Sequence, residues 1–295
     1  MNGRRNGGPG SDPLLGCALN MSEGRAASDI DAVIAKAGGH AVLDVAPDPD
    51  HHRTVVTLGG SPDPLVEAVV KLATEAVRRI DIRTQRGEHP RLGAVDVVPF
   101  YPLFDTPMSQ AVAAADQCAR MLCSRLRIPC FLYERSSDPP GRSLPWIRRH
   151  AFASLPPDCG PDRPHPSAGA CVVGARGLLV AYNVNLAGSD ATTARWIAAQ
   201  LRTGVSGMAG IRTLGLDLAS RGLSQVSVNI TDPGTVTLTD VFDRVCILAE
   251  KVGAQVLESE LIGLVPRTCL ADAGIESLRL TGEPHLLEEA FSRFR

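Results

Sequence analysis

The chain has 295 residues, 44% hydrophobic and 21% charged, with a formal net charge of −2. That is the composition of a soluble globular protein, long enough for one large or two ordinary domains. The near-neutral balance argues against bulk nucleic-acid binding, and no apolar run approaches the ~20 residues that a membrane span needs.

Residues 1–13 are polar and Gly-rich with no apolar stretch, and read as a disordered leader rather than a signal peptide. Asp44 to Thr57 (DVAPDPDHHRTVVT) reads as a turn feeding a strand, Thr54 to Leu58. Asp48, Asp50, His51 and His52 superficially resemble a metal cluster. Adjacent histidines point apart, however, and lack the i, i+4 spacing that converges on an ion, so no metal is expected. Arg53 is then placed for an anion. Pro62 to Ile80 carries Leu65, Val66, Val69, Leu72, Ala73, Ala76 and Ile80 on one stripe, an amphipathic helix opened by Ser61 and Pro62.

Next comes the most informative stretch, Gly87-Glu88-His89-Pro90-Arg91, followed by an apolar run to Phe100. It puts a proton-transfer group, a carboxylate and a fixed cation at the mouth of a sheet. Histidine, with a pKa of ~6.5, both takes and gives protons near neutrality. A second helix is expected with Thr106 as its cap, ending near Pro129, then a strand from Cys130 to Glu134. Asp138 to Pro166 is rich in Pro, Arg and Gly and reads as a long surface excursion. Its end, Gly160-Pro161-Asp162-Arg163-Pro164-His165-Pro166-Ser167-Ala168-Gly169, is a rigid glycine-bounded loop.

Leu178 to Leu186 predicts a strand with Asn183 and Asn185 on one face, open to a polar ligand or simply to solvent. Asp190 to Arg202 and Leu238 to Val252 read as helices. Gln225 to Thr231 alternates, with Val226, Val228 and Ile230 on one face and Ser227 and Asn229 on the other. The eight cysteines show no CxxC spacing and are expected as reduced thiols in a cytoplasmic protein. The expected fold is α+β.

Taken in order, Asn20-x-Ser22-Glu23-Gly24-Arg25, Asp50-His51-x-Arg53-Thr54-Val55, GEHPR-x-GA-x-DVVPF, GP-x(4)-P-x-x-G, VVGAR, AYNVNL, QVS-x-N-x-TD and SELIGLVP resemble the glutamate formiminotransferase family over nearly the whole chain. The resemblance implies two subdomains, 14–175 and 176–282, with a short helical tail over 283–295. Each is a mixed or antiparallel sheet with helices on one face, ferredoxin-like, and a ligand cleft lies between them. It implies folate-dependent transfer of a formimino group from N-formimino-L-glutamate to N5 of tetrahydrofolate, a step of histidine degradation and one-carbon metabolism. His89 maps onto the family's catalytic histidine, and Gly160 to Gly169 onto its folate-binding loop.

By charge and position, Arg53, Arg91 and Arg176 are candidate carboxylate partners. The expected partners are the two small substrates, with polyglutamylated folate, a homodimer and a separate cyclodeaminase as further possibilities. Neither nucleic acid, membrane nor metal is expected. The runner-up readings are a catalytically impaired folate binder and a formyl-transferring variant. The first motif, usually ECVPNFSEGR, departs from the family pattern as Gly16-Cys17-Ala18-Leu19-Asn20-Met21-Ser22-Glu23-Gly24-Arg25, and four later positions depart as well. Ala46 replaces an acidic residue, His52 an Asn, Gln85 a His and Cys159 a Phe.

Overall fold

A computed structural model describes residues 12–38, 41–88, 90–187, 190–203, 207–270 and 276–294. The expected leader lies almost wholly outside these residues.

The first half comprises β1 (Leu15–Met21), α1 (Ala27–Ile34), β2 (Val42–Asp48), β3 (Arg53–Gly60), α2 (Pro62–Arg79), β4 (Val95–Pro102), α3 (Met108–Leu126), β5 (Cys130–Glu134), α4 (Leu144–His150) and β6 (Cys171–Ala175). Strands β2-β3-β1-β4 pair antiparallel in that order, a βαββαβ unit, and β6 and β5 extend it in parallel. The second half comprises β7 (Val180–Ala187), α5 (Ala191–Thr203), β8 (Ile211–Leu218), β9 (Leu223–Ile230), α6 (Leu238–Lys251) and β10 (Gln255–Ile262). It repeats the unit as an antiparallel sheet of order β10-β7-β9-β8. The molecule is therefore α+β with two sheets, as the sequence predicts.

Strand alternation decides which way each sheet faces. In β1, Leu15, Cys17, Leu19 and Met21 are fully buried, packed in one core with Leu65, Val66, Val69 and Leu72 of α2 and Ala115, Cys118 and Leu122 of α3. In the second sheet Tyr182, Val184 and Leu186 of β7 and Val226, Val228 and Ile230 of β9 form a separate core with α5 and α6. Burying each such aliphatic side chain contributes roughly 1.5–3 kcal/mol, so neither sheet can slip register by one residue without exposing its whole apolar face. The alternate residues, Asn20, Val55, Thr57, Val97, Pro99 and Tyr101 in the first sheet and Ala181, Asn183, Ser227 and Asn229 in the second, lie on the opposite faces, where α4 covers part of the first sheet with Ile147 in one cluster with Val97.

The segment after β10 returns to the first sheet. Leu287 and Phe291 pack with Tyr101, Leu103 and Leu264, and His285 Nδ1 lies 2.6 Å from Asp44 Oδ1. On the other side Arg212 of β8 pairs with Glu134 of β5 at 2.6 Å.

Three sequence expectations are corrected. Thr106 does not cap α3. Pro107 occupies that position, and the Thr106 hydroxyl instead accepts the Leu14 N–H at 2.9 Å. The excursion from Asp138 to Pro166 contains α4, whose first turn is capped by the Ser143 hydroxyl and stiffened by Pro145. Cys123 and Cys159 are not reduced: they are joined in a disulfide, with Cα atoms 6.3 Å apart. Tertiary folding brings the pair together, because Cys123 lies in the last turns of α3 and Cys159 bridges Cys130 at the start of β5. The other six thiols are free.

Candidate functional site

These faces oppose each other across two connected cavities. The larger, about 640 Å³, is lined by Asn20, Thr57, Tyr101 and Tyr133 of the first sheet, by α4, and by Arg212 and Asn229 of the second. The smaller, about 270 Å³, is lined by the turn Pro47–His51 and by Asn183, Arg221, Gln225 and Glu260. Arg53, Val55, Ala181, Ser227, Asn229 and Ile262 line both, so they form the neck. Volumes of this size suit small-molecule ligands.

Arginines dominate the larger cavity: Arg53, Arg148, Arg149, Arg176, Arg202 and Arg212. Arg53 enters from β3 beside the Asn20 amide oxygen, to which it donates. Burial pulls its guanidinium pKa down to about 10, against the opposing pull of Asp96, so it stays charged at neutral pH. Arg148 donates to Asp96 Oδ2 at 2.5 Å, and Asp96 Oδ1 accepts the Leu92 N–H at 2.6 Å. Arg176 lies over the Tyr101 ring, 5.7 Å from its centroid. Burial raises the Tyr133 phenol to about 12 even with Arg176 beside it, so both tyrosines remain neutral. The cavity thus offers fixed cations and aromatic walls, the chemistry of a flat polyanionic ligand.

The smaller cavity is mixed in charge. Asp48 accepts both the His51 backbone N–H and the His51 ring nitrogen, each at 2.8 Å. Burial would raise its carboxyl, but the bonds from His51 hold it below the usual range. Across the chamber, Asn183 and Gln225 donate to Glu260 Oε1 at 3.1 and 2.9 Å.

A third cluster holds the surrounding loops. Glu23 Oε1 accepts the backbone N–H groups of Gly24, Arg25 and Ala26 at 3.0, 2.8 and 2.9 Å. His52 Nε2 lies 3.1 Å from the same oxygen, and Gln85 Nε2 donates to Oε2 at 3.1 Å. Burial alone would raise this carboxyl, yet the backbone donors and His52 take it below its ordinary value. Ser22 Oγ donates to Gly93 O at 2.7 Å, and Arg25 Nε to Pro49 O at 2.8 Å. Gly24 is required here, since a Cβ would collide with the backbone of Asp48 and Arg53. These motif residues are therefore the framework of the site rather than its chemistry.

His89 lies outside the described residues. The segment on either side of it is held to the turn that lines the smaller cavity. Glu88 N lies 3.5 Å from Asp50 O, and Arg91 donates to the carbonyls of His51 and His52 at 2.9 and 3.3 Å. Arg91 thus braces the turn and lines neither cavity. Arg53 and Arg176 do line them, and Asn183 lines the smaller. Asn185 is fully buried behind it, donating to Glu258 at 2.9 Å and accepting from Gln225 at 3.0 Å.

None of Gly160, Pro161, Asp162, Arg163, Pro164, His165, Pro166, Ser167, Ala168 or Gly169 lines either cavity. That loop closes on itself through His165 and Gly169 and ties to the strand entry through Ala94 N–Ala168 O at 2.9 Å and Ala170 N–Leu92 O at 3.0 Å. Among the described residues, the ligand-type side chains that come together as a metal set are Cys123, Cys130 and Cys159, and two of those sulfurs are bonded to each other.

Family models match this arrangement half by half. The N-terminal subdomain of the formiminotransferase domain covers residues 14–176, and the formiminotransferase domain model covers residues 181–288. The chain belongs to the formiminotransferase family. It is 36% identical to the glutamate formimidoyltransferase of Streptococcus pyogenes, covering 88% of this chain and 91% of that protein. It is 34% identical to the glutamate formimidoyltransferase of Thermoplasma acidophilum, over 95% and 98% of the two chains. It is also 35% identical to the formimidoyltransferase-cyclodeaminase of Sus scrofa, of whose length it spans 56%.

The departures from the formiminotransferase pattern fall in revealing places. Ala46 lines the smaller cavity without a carboxylate. His52 and Gln85 flank the same carboxylate, an imidazole where the pattern has an amide and an amide where it has an imidazole. Cys159 is held in the disulfide. Sequence reasoning missed Arg148, Arg149, Arg202, Arg212, Gln225 and Glu260. For the first two a signal existed in the Ser143-Leu144-Pro145 helix start. Glu260 was visible only as part of a motif, with no hint of its partners.

Proposed function

We propose that this protein is a glutamate formimidoyltransferase, with tetrahydrofolate in the larger cavity, N-formimino-L-glutamate in the smaller and transfer at the neck. The observation that carries the reading is the pair of connected chambers sharing Arg53, one lined by arginine and tyrosine and the other by mixed charge. N5 of the folate attacks the amidine carbon, the bond from that carbon to the glutamate nitrogen breaks, and the proton leaving N5 ends on the departing nitrogen. His89 takes and returns that proton as general acid/base, which for one well-placed histidine contributes roughly 10²–10⁴ in rate. Arg53 and Arg221 meet the donor carboxylates. Arg176, Arg202 and Arg212 meet the folate glutamate and any further glutamates in a polyglutamate tail. The loop from Gly160 to Gly169 contributes to folate binding indirectly, by holding the entry to β4 through Ala94 N–Ala168 O. The division at residues 175/176, a cytoplasmic location, a place in histidine degradation and a cyclodeaminase acting as a separate protein belong to the same reading.

A folate-binding role without catalysis is the second reading, and Ala46 favours it by removing an expected carboxylate from the smaller chamber. A spectrophotometric transfer assay with tetrahydrofolate and N-formimino-L-glutamate separates the two. Product from the native protein that is lost in His89→Ala, with folate still raising Tm in both, supports the transferase. A native protein that is stabilised by tetrahydrofolate yet forms no product is a binder only.

A further inference from the structure

Three carboxylates line the smaller cavity: Asp48, Asp50 and Glu260. Asp48 is occupied on both oxygens by His51. Asp50 sits on the turn, and among the described residues no side-chain hydrogen bond orients it. Glu260 is different. It stands on β10 directly across from Asn183 on β7, and both bonds it receives, from Asn183 and Gln225, fall on Oε1. Those two donors are 4% and 1% exposed. Gln225 is locked in turn by Asn185, and Asn185 by Glu258. The carboxylate is therefore aimed by a chain of buried amides, and among the described residues no side-chain bond falls on Oε2. Arg221, the cation on that wall, pairs with Glu258 rather than with Glu260.

We propose that Glu260 reads the group being transferred, accepting an N–H of the donor amidinium and so selecting a formimino over a formyl donor. The inference rests on the transferase reading above and assigns specificity within the same cavity. A formimino group is an amidine, cationic near neutral pH, with N–H donors in its plane. A formyl group on the same nitrogen is a neutral amide whose oxygen would face the carboxylate oxygen. The first gains a charge-assisted hydrogen bond, and the second leaves a carboxylate and an oxygen opposed, which is how a site rejects a near-isostere.

The test compares kcat/KM for N-formimino-L-glutamate and N-formyl-L-glutamate, each with tetrahydrofolate, in the native protein and in Glu260→Gln. The glutamine keeps an oxygen for Asn183 and Gln225 and turns an NH₂ toward the ligand. The formimino-to-formyl ratio is expected to narrow roughly 10- to 100-fold, the range for a hydrogen bond to a charged group, through loss with the first donor and gain with the second. Formamidine supplies a check on the native protein that needs no folded variant. It is expected to compete with the donor where formamide at equal concentration does not. Equal losses with both donors, or equal inhibition by formamide and formamidine, would overturn the proposal while leaving the transferase reading intact. A native protein that transfers from neither donor would instead sink that reading, and this inference with it.

Discussion

The exchange of His52 and Gln85 around Glu23 makes a sharp test of whether the departures from the family pattern are damage or compensation. Restoring each position alone, as His52→Asn and Gln85→His, should destabilise the protein, and restoring both together should destabilise it by less than the two losses summed. In His52→Asn the shorter side chain abandons Glu23 Oε1, 3.1 Å away, and the carbonyl of Arg86, 2.8 Å away. One bond to a charged group and one to a neutral group amount to about 2–4 kcal/mol. Gln85→His alone removes the bond at 3.1 Å to Oε2 and crowds a second imidazole onto the same carboxylate, for about 1–2 kcal/mol. In the double variant the histidine introduced by Gln85→His returns an imidazole to Glu23, so the combined loss should fall short of the summed single losses by about 1–2 kcal/mol, a coupling in the range that contacting residues show. At roughly 2–4 °C per kcal/mol for a chain of this size, His52→Asn should lower Tm by roughly 5–15 °C. Thermal unfolding followed by circular dichroism at pH 7 reads all four forms. Single effects that simply add in the double variant, to within about 0.5 kcal/mol, would refute the exchange.

Other outcomes follow from the same geometry. Glu23 is held below its ordinary value of 4.5, so its stabilisation is present above that pH and lost as pH falls through the lower folded value. The dependence of Tm on pH below 4.5 should therefore be shallower in Glu23→Gln than in the native protein, and an unchanged slope would show that Glu23 does not carry it. Arg148→Met strands Asp96, which is 2% exposed, and should cost about 3–5 kcal/mol. Asp96→Asn added to it should recover part of that loss in a urea titration. Arg176→Ala should raise KM for tetrahydrofolate about tenfold or more, whereas Arg163→Ala, exposed and lining neither cavity, should raise it less. The opposite order would move the folate to the loop.

Much of the fold was legible because strand alternation and helical stripes are local. The open-face residues Asn183, Asn185, Ser227 and Asn229 could be placed from β7 and β9 one residue at a time. What those faces do was not legible, because it depends on pairs far apart in the chain. Asn183 meets Glu260 across 77 positions, and Glu23 meets Gln85 across 62. The arginine wall was half visible. Arg53 and Arg176 stand in recognisable motifs, but Arg148 and Arg149 belong to a short helix hidden in a proline-rich stretch with too few turns to show a period.

Position 52 is where linear comparison and geometry disagree most. Read along the chain, His52 and Gln85 are two separate losses on either side of the helix that precedes Gly87-Glu88-His89-Pro90-Arg91. In the folded protein they are one carboxylate shell with its imidazole and amide exchanged, and the Arg53 that follows still reaches the neck of the cavity. Ala46 has no such counterpart within the shell. The oriented carboxylate in that chamber is Glu260 on the opposite wall. If the chamber needs one oriented carboxylate rather than a carboxylate at one address, Ala46→Asp should leave kcat/KM for the formimino donor within about threefold in the native background. The same change should recover much of the loss in Glu260→Gln, because coupled residues serving one ligand group are non-additive. Ala46→Asp that raises native activity tenfold or more would mean that the chamber was missing that carboxylate all along.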